Sequence, residues 1–223
     1  MKTYFNLPPV TKTLIFVIST FYLLGLFFAP LKEWMFENLA LFSPNDIYIG
    51  NYFQLWQPFT HMFINLNILY VGVSVFLLWT FGTAVEKTLG STFFAIFFFV
   101  CCLGSAFTLF VIGPYQLRIL YGSGGFCMAT FIAYALLYPN SKIFLFFPPL
   151  LLSAKWAAVV MFIITILLGL LPNSEMAAWP TLGTMVTSLI CMYVWSLWYR
   201  YRNRSSFDDY DDEADDYESY EIK

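Results

Sequence analysis

Six long apolar stretches follow one another along the chain, separated by shorter segments and followed by an acidic tail. A membrane-spanning helix needs roughly 20 apolar residues, or slightly fewer where other helices enclose it. The stretches therefore predict six transmembrane helices. They occupy residues 13–29, 62–82, 92–112, 122–137, 154–171 and 182–198.

The connection between the first and second predicted spans is long. Within it, residues 31–36 and 52–56 place aromatic side chains beside polar ones. This composition is typical of short helices that lie in the headgroup region of a bilayer. We therefore predict a long interfacial first outer loop.

The composition supports a membrane location. Hydrophobic residues make up 60% of the chain and charged residues 11%, whereas a soluble domain averages about 25% charged residues. The predicted fold class is therefore an all-α membrane protein. The cysteines lie inside apolar stretches, without metal-ligand spacing or a disulfide framework, so we interpret them as packing residues and predict no metal and no cofactor. They are Cys101, Cys102, Cys127 and Cys191.

Lysine and arginine are unevenly distributed between the two sides of the predicted bundle. If the N-terminus is cytoplasmic, the outer loops hold only Lys32 and Arg118. Because cytoplasmic loops are enriched in these residues, the distribution predicts that both termini are cytoplasmic. The cytoplasmic set is Lys2, Lys12, Lys87, Lys142, Lys155, Arg200, Arg202 and Arg204.

The last residues differ from the rest in composition. Segment 206–223 is acidic and interrupted by tyrosines, so it is predicted to be a disordered cytoplasmic tail beside a membrane domain at 1–205. The tail either keeps the chain end solvated or contacts a basic cytoplasmic partner.

Four motifs lie at or near the ends of the predicted spans. Segment 56–63 begins Trp-Gln-Pro-Phe-Thr-His, and segment 81–91 contains Ala-Val-Glu-Lys. Segment 121–140 contains Gly-Ser-Gly-Gly and ends in Pro-Asn, and segment 178–183 reads Ala-Trp-Pro-Thr-Leu-Gly. In this order, with six spans and a long first loop, they resemble the rhomboid family of intramembrane serine proteases.

The resemblance implies a six-helix bundle that cuts transmembrane substrates with a serine on helix four and a histidine on helix six. Two registers are possible for the serine. Matching the glycines places Ser123 at the nucleophile position, whereas an ungapped match to Pro139 and Asn140 places Gly124 there. We favour the ungapped register, because one inserted residue would rotate every later helical side chain by roughly 100°.

The other positions of the family apparatus also differ. The helix-six histidine position is occupied by Thr181, and the oxyanion-binding histidine and asparagine positions of helix two by Tyr70 and Ser74. A further upstream histidine position is occupied by Asn65. Tyr70, Ser74, Ser123 and Thr181 are expected to converge on one cavity if the fold is conserved.

The residues themselves lead to the same expectation. A serine hydroxyl needs a neighbouring base to act as a nucleophile. The only histidine, His61, precedes the second span and is expected to bind loop backbone, and Glu86 lies at the opposite end of that span. Ser123 is therefore expected to lack a base, and no catalytic residue is predicted.

Three functions stay open on the sequence. The favoured one is a rhomboid-like pseudoprotease that binds transmembrane clients or a membrane protein partner without cleaving them. The second is an intramembrane serine protease in which Ser123 uses an unconventional base. The third is a structural subunit of a membrane complex.

The expected surroundings follow from these functions. Membrane lipids and transmembrane segments are the expected partners, and no nucleic acid is. The compact six-span plan favours a bacterial cytoplasmic (inner) membrane, with a eukaryotic organelle as the alternative.

Overall fold

The computed structural model describes residues 7–42, 53–112, 119–146, 149–170 and 178–221. The chain divides into two compact units, Met1–Leu189 and Ile190–Lys223. Among the described residues, four helical segments are long and apolar enough to cross a membrane, and two shorter apolar helices accompany them. These six helical segments coincide with the six predicted spans and confirm the all-α membrane bundle. In order, the helices are α1 Pro9–Phe27, α2 Ala29–Leu39, α3 Gln57–Thr60, α4 Ile68–Leu77, α5 Thr83–Leu89, α6 Ser91–Ile112, α7 Gly124–Leu137, α8 Ala154–Leu170 and α9 Ala178–Glu221.

The second span begins and ends later than its apolar stretch predicts. Residues 61–63 form a separate 3₁₀ turn, and α4 starts at Ile68. The side chain of the preceding residue, Asn67, accepts a hydrogen bond from the N–H of Leu69. This side-chain cap defines the helix start more sharply than hydrophobicity does. A π-helical turn at Leu78–Gly82 then joins α4 to α5, and α5 is followed by Gly90, which has φ of 84°.

The start of α1 is held by a side chain from the end of the second span. Glu86 is 1% exposed, and its two carboxylate oxygens accept hydrogen bonds from the N–H groups of Val10 at 3.0 Å and Thr11 at 2.7 Å. The Ser91 hydroxyl donates to the same carboxylate at 2.7 Å. Because the first N–H groups of a helix lack partners within it, Glu86 caps α1 from another span.

The outer loop is partly as predicted. Segment 31–36 lies in helix α2, but residues 53–56 are not helical, and the next helix begins at Gln57. Residue 52 lies outside the described residues. A two-residue strand, β1 at Leu41–Phe42, pairs antiparallel with β2 at Ile119–Leu120. The loop is thereby attached to the segment that leads into α7.

A β-hairpin that the apolar pattern did not reveal connects α7 to α8. Its strands are β3 at Lys142–Phe146 and β4 at Pro149–Ser153, paired antiparallel from Lys142 with Ser153 to Phe146 with Pro149. The hairpin is short, so the all-α assignment stands.

The backbone of α9 continues to Glu221, through the segment for which the sequence predicts a disordered tail. The boundary between residues 205 and 206, and the disorder of 206–223, stay predictions.

The sixth and third spans pack closely where two glycines meet. A Cβ atom at Gly104 would lie 2.8 Å from Thr187 Cβ, and one at Gly183 would lie 2.8 Å from Thr108 Cβ. The two threonine hydroxyls donate to carbonyls on their own helices, so they stay satisfied in the crossing. Small residues permit such close backbone approach inside membranes.

Candidate functional site

A half-open cavity of about 760 Å³ is lined by residues of segment 61–67, α4, the stretch from β2 to the start of α7, α8 and the first turn of α9, with Ser105 of α6. Its lining is apolar or uncharged polar, and none of the described lining residues is Asp, Glu, Lys or Arg. A group entering the cavity therefore meets neutral hydrogen-bonding atoms and no full charge.

Ser123 precedes α7 and is 1% exposed. Its Oγ lies 2.6 Å from Ser74 Oγ and 3.3 Å from Asn65 Oδ1, and its backbone N–H also donates to Asn65 Oδ1, at 3.3 Å. Within the described ranges, its side chain makes no hydrogen bond to an imidazole or a carboxylate. A hydroxyl and an amide oxygen do not remove a proton from serine at neutral pH, so this cluster does not activate Ser123.

Gly124 is the residue at this turn that faces open space. It lines the cavity, whereas Ser123 is not among the lining residues. A Cβ atom built at Gly124 would have no atom within 4 Å. Of the two candidate nucleophile positions, the one that meets the cavity is therefore Gly124, which has no side chain.

The remaining predicted positions are brought together. Tyr70, Ser74 and Thr181 all line the cavity, and Ser123 adjoins it through its contact with Ser74. Tyr70 is 66% exposed, so its ring lies at the margin of the site, whereas Ser74 is buried. The Thr184 hydroxyl lies 2.9 Å from the carbonyl oxygen of Gly125 and 2.7 Å from that of Thr181, so it can donate its one proton to either and brings α9 into contact with α7.

The turn before α7 is fixed to the outer loop by backbone contacts. Gly122 has φ of 104°, a conformation that favours glycine, and its N–H donates to the His61 carbonyl at 2.9 Å. The next N–H, that of Ser123, donates to Asn65. These two hydrogen bonds therefore attach the turn to the segment that precedes α4.

His61 contacts backbone, as the sequence predicts, and also a serine that the sequence did not single out. Its Nδ1 lies 3.1 Å from the Gln57 carbonyl oxygen, which can only accept, so Nδ1 holds the proton. Its Nε2 lies 3.1 Å from Ser105 Oγ, and the Ser105 hydroxyl also lies 2.8 Å from the Cys102 carbonyl. Burial lowers the pKa of His61 from 6.5 to about 4. The imidazole therefore contacts Ser105 as a neutral group.

The comparison with protein families decides the identity of this arrangement. The model of the rhomboid domain matches residues 52–198, which is well over half of the chain. The chain belongs to the rhomboid family. A comparison with curated proteins found none that matches. The rhomboid match includes every wall of the cavity and leaves out α1 and α2.

Sequence reasoning missed Ser105 and Thr184 in this rhomboid chain. Ser105 lies within an apolar span, where a polar residue, like Thr108 three positions later, is a signal of a possible intramembrane contact. Thr184 lies one helical turn after Thr181, so the two share a face of α9. The family motif points only to Thr181, the position that matches the family histidine.

Proposed function

We propose that this rhomboid protein binds transmembrane segments of other proteins without cleaving them. The observation that supports this most directly is that Ser123 and Gly124, at the start of α7, are placed differently relative to the cavity. Gly124 meets the cavity but has no side chain, and Ser123 has a hydroxyl that is turned towards Ser74. Neither residue therefore provides a nucleophile that contacts a base at the cavity surface.

The walls of the cavity suit a membrane segment as occupant. Two of them are α4 and α8, the second and fifth spans, and side chains of both helices are exposed on the outside of the bundle. A partner helix could enter laterally between them from the bilayer. Inside, it would meet the side chains of Tyr70 and Thr181. It would also meet the start of α7, where the glycines allow close packing.

The proposal includes a setting. Both termini are cytoplasmic, the protein resides in a bacterial inner membrane, and the acidic tail serves as a contact for a basic cytoplasmic partner. The charge distribution along the sequence supports the orientation.

Co-reconstitution of the purified protein with a single-pass membrane protein in liposomes tests binding and cleavage together. Energy transfer between labelled chains should report association, and gel analysis should show an intact client after prolonged incubation. Gly124→Leu should place an apolar side chain in the cavity and weaken association at least several-fold, since the Cβ atom there meets no atom within 4 Å.

Gly72→Leu is the matched control. Gly72 is an exposed helical glycine whose Cβ would also meet no atom within 4 Å, but it does not line the cavity, so association should persist. Appearance of a cut client would reject the proposal. Equal association of the wild type and the Gly124 variant would exclude the cavity as the binding site.

A second candidate, a serine hydrolase, rests on the contact between Ser105 and His61. The two atoms lie 3.1 Å apart and both residues line the cavity. To act as a nucleophile, Ser105 would have to break its hydrogen bond to the Cys102 carbonyl. It would also have to become accessible to a substrate, because both residues are at most 2% exposed. Fluorophosphonate labelling that disappears with Ser105→Ala would favour this candidate. Labelling that disappears only with Ser123→Ala would favour a protease with an unconventional base.

A further inference from the structure

Asn65 has a buried donor with no partner, at the edge of the cavity. The residue is 9% exposed and lines the cavity. Its Nδ2 is shielded from solvent and has no hydrogen-bond partner in the described structure. Leaving a buried donor unpaired destabilises the protein, so an acceptor that reached Nδ2 would recover that cost.

The orientation of the Asn65 amide follows from its neighbour. Ser123 N–H can only donate, and it points to Oδ1 at 3.3 Å. The Ser123 hydroxyl lies at the same distance from Oδ1 and 2.6 Å from Ser74 Oγ. The amide oxygen is thus already used, and the NH₂ group is the half of the side chain that has no partner in the described structure.

The missing acceptor must be uncharged. No acidic or basic residue is among the described residues that line the cavity, and His61 is held neutral by burial. A carboxylate brought beside Asn65 would lose its hydration without gaining a counter-charge. A carbonyl oxygen needs no counter-charge and accepts two hydrogen bonds.

An intact membrane helix can present such an oxygen only from a side chain, because its backbone carbonyls bond within the helix. We infer that Asn65 Nδ2 recognises the side-chain amide of a Gln or Asn in a bound transmembrane helix. This inference rests on the proposed function and specifies the client class that the cavity prefers. The client amide would place its oxygen at Nδ2, and the cavity lining also includes hydroxyl groups that can accept hydrogen bonds from its NH₂ group.

Two model helices test the preference. One is an oligo-leucine transmembrane helix, and the other has a single central Gln in place of Leu. Both are labelled for energy transfer with the full-length protein in phosphatidylcholine liposomes. The Gln helix should bind about 3- to 10-fold more tightly than the Leu helix, as expected for one hydrogen bond between membrane helices.

Two asparagine variants separate the donor from general effects on the loop. Asn65→Leu should abolish the preference for Gln. Asn38→Leu should retain it, because the Asn38 side chain donates to the Trp34 carbonyl within α2 of the same outer loop and does not line the cavity. A thermal unfolding curve for each variant verifies that it is folded before binding is compared.

The outcomes distinguish failure of this inference from failure of the proposed client-binding function. Equal binding of both helices to the wild type would overturn the role of Asn65 and leave client binding in place. Failure of both helices to bind would count against the proposed function itself. Retention of one phospholipid per chain in native mass spectrometry, lost in Asn65→Leu, would assign the donor to a lipid and overturn the inference.

Discussion

The hydroxyl of Ser123 lies 2.6 Å from the hydroxyl of Ser74, so the serine nearest to the family nucleophile is paired with another alcohol. Both side chains are buried, at 1% and 4% exposed. Each is a weak acid and a weaker base, so the pair can stabilise the contact between α4 and α7 but cannot generate an alkoxide.

Replacing Ser123 with Ala should therefore affect stability and not reactivity. The variant loses one buried hydrogen bond, and the free energy of unfolding should fall by about 1 kcal/mol. Denaturation in mixed micelles measures this change, and a fluorophosphonate probe should label neither the wild type nor the variant. Labelling of the wild type alone would identify Ser123 as a nucleophile.

The two positions at the start of α7 should differ in their reactivity as cysteines. Gly124→Cys should react with N-ethylmaleimide at least about tenfold faster than Ser123→Cys, because position 124 faces the cavity and Ser123 is buried. The comparison is best made in a Cys191→Ser background, since Cys191 is the native cysteine that is not fully buried. Faster reaction at position 123 would contradict the placement of Gly124.

Close packing between α6 and α9 should make Gly104 intolerant of a methyl group. The added Cβ would lie 2.8 Å from Thr187 Cβ and closer still to its hydroxyl, and we expect Gly104→Ala to lower the unfolding free energy by roughly 2–3 kcal/mol. Gly72→Ala is the control, because its Cβ meets nothing within 4 Å. It should be neutral or stabilise by up to about 1 kcal/mol through helix propensity. Equal effects of the two variants would refute the close crossing.

Glu86→Gln should destabilise the attachment of α1. One carboxylate oxygen becomes an NH₂ group that faces a backbone donor, so at least one charge-assisted hydrogen bond is lost, a change of about 1.5–3 kcal/mol. Unfolding in detergent and proteolysis near the N-terminus both measure the loss. Glu33→Gln, on the exposed face of α2, should change stability little.

His61 should make stability depend on pH in a defined window. Its pKa is about 4 in the folded protein and near 6.5 when exposed, so the unfolded chain binds the proton more readily. The stabilisation is complete above pH 6.5 and is lost as the pH falls towards 4, amounting to on the order of 3 kcal/mol. His61→Asn should be less stable at pH 7.5 but should show a flatter profile between these values. An unchanged slope in this variant would show that another group titrates.

The sequence by itself determined the class of the protein. Apolar stretches long enough to cross a bilayer predict six spans whatever their contacts, because the lipid environment requires every spanning segment to satisfy its backbone as a helix. The motifs then determined the family. The stretch at 121–140, with its Gly-Ser-Gly-Gly start and Pro-Asn end, belongs to a region that the rhomboid model matches.

Local chemistry also set some details that hydrophobicity did not. Asn67 caps α4 and moves the start of the second span to Ile68, although the apolar stretch begins at Met62. The hairpin after α7 escaped prediction because its strands are as apolar as the helices beside them. Hydrophobicity alone does not separate short strands from short helices.

Only the tertiary structure decided which residue at the start of α7 meets the cavity. Ser123 and Gly124 are adjacent, and their chemistry alone does not tell which of them faces the cavity. The direction is set by distant partners, the His61 carbonyl and the Asn65 amide, which hold the turn through hydrogen bonds to Gly122 and Ser123. Because these contacts join residues far apart in the chain, periodicity and composition contain no record of them.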